Sequence, residues 1–190
     1  MTEEQLLVKA LKSDTGKEVA FRTLVSQYKE RLYWQIRKIV IDHNDTDDVL
    51  QNTFIKIFRN IKSFKGDSKL HTWMYRIATN ESITFINKRA KMAKVTIEEY
   101  HHKAIYNLES DVYFEGDAIQ MVLQKAIATL PQRQRLIFSM KYFEEHTFEE
   151  LSTILETSVG GLKSSYHIAV KKVTAYIKAN EMSLIANKTF

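Results

Sequence analysis

Apolar residues recur three and four apart along nearly the whole chain, and the residues that punctuate strands are scarce. Phe21, Leu24, Val25 and Tyr28 share one helical face, and Leu32, Ile36, Ile39 and Val40 continue the pattern. One proline and five glycines in 190 residues supply too few turn formers for a strand-rich fold. The expectation is an all-α protein. Apolar residues make up 44% of the chain, enough to bury a core and to exclude wholesale disorder. Cysteine is absent, which excludes disulfides and thiolate metal sites and suits a reducing cytoplasm. No run of about 18 apolar residues predicts a transmembrane helix. The mixed acidic and apolar start, residues 1–11, is unlike a signal peptide.

Charge divides the chain into three parts. Residues 1–89 carry 16 basic and 11 acidic groups, residues 90–117 carry 3 and 6, and residues 118–190 carry 9 and 6. Two basic blocks therefore flank an acidic connector. Nucleic acid is a natural partner for such blocks, because neutralising phosphates releases counterions, although many soluble proteins share this balance.

The predicted organisation follows the same division. Residues 1–90 read as four or five helices. A polar break over residues 42–48 offers Asp45 or Asp47 as the cap of a helix that carries Leu50, Phe54, Ile57 and Ile61 on one face. Residues 63–68 form a loop containing Gly66. Ser68 is placed to cap a long helix reaching about Arg89, with Leu70, Trp73, Met74 and Ile77 turned inward. Residues 91–117 lack sustained periodicity and read as a linker with room for one short helix. Asp117 then caps a helix through Val122, Leu123, Ala126, Ile127 and Leu130, and Pro131 falls in the first turn of the next. Residues 118–180 form the second domain, and residues 181–190 a tail.

Within the second domain, Thr147, Phe148, Glu149 and Glu150 make a capping box. Glu156, Thr157 and Ser158 read as a tight turn, with Ser158 as the next cap. The following helix buries Val159, Leu162, Tyr166, Ala169 and Val173, and its other face shows Gly160, Gly161, Ser164, His167, Ile168 and Lys171. Small residues at a helix N-terminus let the backbone approach phosphates, and Lys163, Lys171 and Lys172 surround the face. This is the pattern of a helix-turn-helix with its recognition helix in the major groove, and also that of an ordinary helical hairpin. The run from Leu130-Pro131-Gln132-Arg133-Gln134-Arg135, through Thr147 to Leu151, to Ser158-Val159-Gly160-Gly161-Leu162-Lys163-Ser164 resembles the fourth conserved region of sigma factors. The resemblance implies that Arg133, Gly160, Gly161, Lys163, Ser164, His167, Ile168 and Lys171 meet the minus-thirty-five promoter element. Gly161 stands where the family has Thr, and Ser165 and Ile168 stand where it often has Arg, so the base contacts of those arginines do not transfer.

The first domain resembles the second sigma region. Asp45-Thr46-Asp47-Asp48-Val49-Leu50-Gln51-Asn52-Thr53-Phe54 is similar to the segment that docks on the clamp coiled coil of the largest polymerase subunit. The resemblance assigns core polymerase binding to Asp47, Asp48, Gln51 and Phe54. Carboxylates within a turn of one another suit an Arg-rich partner helix, and they also suit the dipole of a helix start. Residues 63–68 and Thr72-Trp73-Met74-Tyr75-Arg76-Ile77-Ala78-Thr79-Asn80 resemble the loop and helix that melt the minus-ten element and hold a flipped base. That likeness implies DNA contacts by Phe64, Lys65, Ser68, Arg76, Asn80, Lys88 and Arg89, with Phe64 as an apolar wall. Trp73 reads as a core residue, while Tyr75 and Phe85 are open to either packing or base stacking.

Together these segments identify the chain as similar to the small, two-domain extracytoplasmic-function sigma factors. The resemblance implies a cytoplasmic protein whose partners are core RNA polymerase, promoter DNA and, as a candidate, an anti-sigma factor, with no small-molecule substrate, cofactor or metal. Enzymatic chemistry has no constellation in this sequence. The adjacent His101 and His102 would point about 100° apart on a helix, and no third metal ligand or phosphate loop accompanies them. A helix-turn-helix regulator that does not dock on polymerase is the alternative; it leaves residues 45–89 without a role. The two domains are expected either to move relative to each other or to be clamped by contacts that hide DNA surfaces; in the second case Glu98, Glu99, Glu109 and Asp111 of the linker lie against basic patches.

Overall fold

The computed structural model describes residues 2–108 and 118–186. Their regular elements are all helices, with no strand among the described residues. The chain divides into two compact units, 1–85 with 153–155, and 86–152 with 156–190.

In the first unit, α1 (Glu3–Lys12) opens on a capping box, with Thr2 Oγ1 accepting from the Gln5 backbone and the Gln5 side chain accepting from Thr2. α2 (Lys17–Val40) packs on α1 and on α3 (His43–Asn60). A short 3-10 turn, Ile61–Ser63, leads to a loop and then to α4 (Leu70–Ala93). Leu11, Leu24, Leu32, Ile36, Ile57, Ile61, Leu70 and Met74 are fully enclosed between these elements. Their burial follows the apolar spacing of the sequence and supplies the main driving force, since each such side chain contributes about 1.5–3 kcal/mol on leaving water.

Three helix starts differ from expectation. Asp42, not Asp45 or Asp47, caps α3: its carboxylate accepts from the Asp45 backbone at 2.9 Å. The chain reverses just before it through Ile41, whose φ of 75° is unusual for a β-branched residue and whose side chain is held in the core. Ser68 does not cap α4; its hydroxyl lies 3.4 Å from the Lys69 carbonyl, and the free Leu70 N–H is taken by Glu4 Oε1 from α1 at 3.0 Å. Pro131 occupies the cap position of α7 rather than its first turn.

In the second unit, α5 (Ile97–Leu108) is a three-turn helix where the sequence left room for a short one. Its start is a capping box: Thr96 N–H donates to Glu99 at 2.7 Å and Glu99 N–H to Thr96 at 3.1 Å. Glu99 thus serves as the cap partner of its own helix. α6 (Ala118–Ala128), α7 (Gln132–Tyr142), α8 (Phe148–Leu155) and α9 (Val159–Ala186) follow. α6 and α7 pack on α9 around Ala126, Ile127, Leu130, Phe138, Ala169 and Val173. The Asp117 cap and the placements of Glu109 and Asp111 lie outside the described residues.

Candidate polymerase and promoter-DNA interfaces

Capping by Asp42 leaves Asp47 and Asp48 free of that duty, and both are exposed on the second turn of α3, with Gln51 one turn further on. Asp47 lies 3.6 Å from His43 Nε2, and His43 Nδ1 is 2.6 Å from the Tyr33 hydroxyl. His43 thus stands between Asp47 and Tyr33 of α2. Phe54 behaves differently from its expected docking role: its ring is half-buried in the core, edge-on to Phe21 at 6.2 Å. The apolar surface on this side comes instead from Ile55, four residues after Gln51 and 41% exposed. Trp34 is 47% exposed on α2, with its ring 5.3 Å from Tyr33, which in turn contacts His43. Sequence reading passed over both residues. The available signal was a large apolar side chain off the buried spacing of its helix.

The loop before α4 is tied at both ends. Lys12 donates to the Phe64 carbonyl, and Glu4 accepts from Leu70. Gly66 at φ 84° provides the turn that an L side chain would strain. Lys65 is exposed and Ser68 half-exposed, but Phe64 is buried, 5.3 Å from the Trp73 ring. Phe64 therefore does not offer a wall to solvent; it anchors the loop. Trp73 packs on the core, as read from the sequence, and Tyr75 is buried, which closes it to base stacking in this state. Phe85 also packs on the core with part of its ring exposed.

Arg76, Asn80, Thr84 and Lys88 follow one another at intervals of four along α4. Arg76 is half-exposed and the other three are exposed, as is Arg89. Asn80 is ten residues beyond Leu70, about 15 Å of helical rise from the point where the loop joins α4. Behind this stripe, Gln35 donates to Thr79 at 2.8 Å, and Lys56 pairs with Glu81. These contacts set the rotation of α4 against α2 and α3.

The helix-turn-helix has the expected local chemistry. Thr147 accepts from Glu150 N–H at 3.1 Å, and Glu150 accepts from Thr147 N–H at 3.0 Å. Glu156 turns the chain in the left-handed region at φ 50°. Ser158 Oγ accepts from Gly161 N–H at 3.3 Å at the start of α9. Leu162, Ala169 and Val173 are buried, while Gly160, Gly161, Lys163, Ser164, His167, Ile168 and Lys171 are exposed. Nothing lies within 4 Å of where a Gly160 Cβ would be, so that backbone is open to close approach. Arg133 is exposed and donates to Thr157 Oγ1 in the turn at 2.9 Å. Lys172 donates to Gln134 at 3.1 Å and so buttresses α9 on α7.

One buried pair in the second unit lies apart from these surfaces. His101 on α5 is enclosed, and neither ring nitrogen has a hydrogen-bond partner. Burial, with Arg135 and then His102 adding to it, lowers its pKa to about 3, so the ring is neutral at ordinary pH. Arg135 on α7 donates to the Ala128 carbonyl at 3.3 Å, and burial lowers its pKa to about 10 despite the opposing field of Glu98. Glu98, unlike Glu99, thus acts on a basic group. Among the described residues no cluster of three metal-ligating side chains occurs, and no helix is long and apolar enough to cross a membrane.

Comparison with known proteins matches these two regions in order. Residues 24–92 match the family described as Sigma-70 region 2, and residues 120–173 the one described as Sigma-70, region 4. The chain is 29% identical over 172 residues to the RNA polymerase sigma-H factor of Pseudomonas aeruginosa, covering 86% of this chain and 89% of that one. It is 29% identical over 174 residues to the ECF RNA polymerase sigma factor SigW of Bacillus subtilis, covering 86% and 92%. Its fold is similar to that of CnrH in complex with the cytosolic domain of CnrY, with a TM-score of 0.67 at 19% identity over 93% of this chain and 98% of that one. It is also similar to the sigma factor RpoE in complex with the anti-sigma factor NepR from Bartonella quintana, with a TM-score of 0.64 at 18% identity over 83% and 96%.

Proposed function

The chain belongs to the extracytoplasmic-function sigma factors of the sigma-70 family, and from that premise we propose how its residues divide the work of bringing core RNA polymerase to a promoter. The carrying observation is that one chain holds both a region 2 and a region 4 match, each with an exposed polar face on a packed helical frame. A helix-turn-helix regulator that does not dock on polymerase accounts for residues 120–173 and leaves residues 24–92 without a role.

Asp47, Asp48 and Gln51 on α3 form the polymerase-docking edge. Exposed carboxylates there can take bidentate bonds from arginines on a partner helix. Ile55 and Trp34 flank the edge with apolar surface; Phe54 supports it from the core. Lys65 and Ser68 on the loop, and Arg76, Asn80, Lys88 and Arg89 on α4, form the minus-ten surface. The exposed face of α9, with Arg133, docks on the minus-thirty-five element. Phosphates are met by the lysines and by the open backbone at Gly160.

The protein acts by binding and placement rather than by catalysis, and it works in the cytoplasm, where polymerase and DNA are. An anti-sigma protein is a candidate partner, since the RpoE neighbour is held by one. Co-elution with core polymerase tests the docking assignment. The wild-type chain is expected to co-elute. Asp48→Arg is expected to weaken binding at least tenfold with an unchanged circular dichroism spectrum, because Asp48 is exposed. A full-strength complex in that variant removes this edge from the interface.

A further inference from the structure

Among the described residues of α9, Ile168 is the one exposed large apolar side chain. Ser164, His167, Ile168 and Lys171 fall at intervals of three, four and seven along α9, and all four are exposed, Ile168 by 45%. Leu162, Ala169 and Val173 are buried on the opposite side, which fixes the rotation of the helix. Ile168 therefore stays on the outward face.

We propose that Ile168 is a specificity-determining residue that reads the 5-methyl group of one thymine in the upstream promoter element. The inference rests on the reading of α9 as the recognition helix and adds a base preference to it. In the major groove every base edge presents hydrogen-bonding atoms, and thymine alone also presents a methyl group. An isoleucine cannot satisfy the amino donor of adenine or cytosine, and covering such a group leaves it unpaired. Against thymine the same side chain buries a methyl. β-branching restricts the side chain to few rotamers on a helix, so the apolar surface is held at a defined height. The neighbouring Ser164, His167 and Lys171 supply polar contacts around it, so the apolar contact sits inside a polar rim.

The test uses holoenzyme assembled from core polymerase and the full chain. Bound duplexes are selected from a library randomised across the upstream element, and each thymine of the selected sequence is then replaced singly by uracil, which removes only the methyl group. At one position the uracil duplex is expected to bind about three- to fivefold more weakly, the worth of one buried methyl. Ile168→Ala is expected to weaken the thymine duplex by a similar factor and to erase the difference between thymine and uracil. Ile168→Val is expected to keep part of it. Equal binding of every uracil duplex, or a full uracil penalty retained in Ile168→Ala, overturns the proposal. Lys171→Ala separates this failure from that of the underlying reading. If it weakens all duplexes uniformly while uracil has no effect, α9 remains in the groove and Ile168 is removed from base readout. If no upstream sequence is selected at all, both fall.

Discussion

Glu4 on α1 accepts a hydrogen bond from the Leu70 backbone N–H, the first of α4, at 3.0 Å. A side chain 66 positions away in sequence does what a local cap does in most helices. Lys12, at the other end of α1, binds the Phe64 carbonyl. α1 thus holds both ends of the loop assigned to the minus-ten element. Replacing Glu4 by Ala is expected to cost about 1 kcal/mol of stability, the usual worth of a cap. Urea unfolding measures it. Ser68→Ala in the same assay is expected to change stability by less than about 0.5 kcal/mol, since Ser68 caps nothing.

His101 makes the second unit sensitive to acid. Its folded pKa, about 3, lies below the ordinary value of 6.5. The unfolded chain therefore binds the proton more readily, and stability falls as pH drops below about 6.5, by about 1 kcal/mol per pH unit, until the folded pKa is reached. Above pH 6.5 the group contributes no slope. The neighbouring Arg135 and then His102 push in the same direction, and Glu98 acts on Arg135 in the opposite sense. Chemical denaturation of wild type and His101→Phe between pH 5 and pH 8 checks this. The variant is expected to lose most of the acid-side slope, and a parallel pH profile in the two proteins contradicts the assignment.

Asn80 is expected to act in strand opening. It is exposed and carries no core contact, so Asn80→Ala is expected to leave folding, core binding and upstream-element binding unchanged. Open-complex formation on duplex promoters falls, because unstacking a base costs a few kcal/mol that contacts to the extruded base must offset. A pre-melted bubble removes that cost and rescues part of the loss. Permanganate footprinting on both templates reads the difference, and normal opening on the duplex rules Asn80 out.

Local patterns carried most of the fold into view. The helical spacing, the Thr147–Glu150 capping box and the outward face of α9 all depend on residues within a turn or two of one another. What escaped reading depends on distant partners. Leu70 finds its acceptor on α1, so Ser68 looked like the cap when it is not. Phe54 and Phe64 occupy docking and DNA-contact positions by resemblance, yet Phe21 and Trp73 draw their rings inward. Trp34 and Ile55 lie off the buried spacing of their helices, a signal whose meaning depends on how the helices pack and rotate. Asp42 took the cap because the turn through Ile41 starts α3 earlier than the acidic run suggested.

Run-off transcription on genomic fragments, with purified core polymerase and this chain as the only sigma subunit, decides whether the chain starts transcription. Discrete transcripts are expected, absent with core alone and strongly reduced with Asp48→Arg. A chain that binds DNA but neither joins core polymerase nor starts transcripts on any fragment would contradict this role.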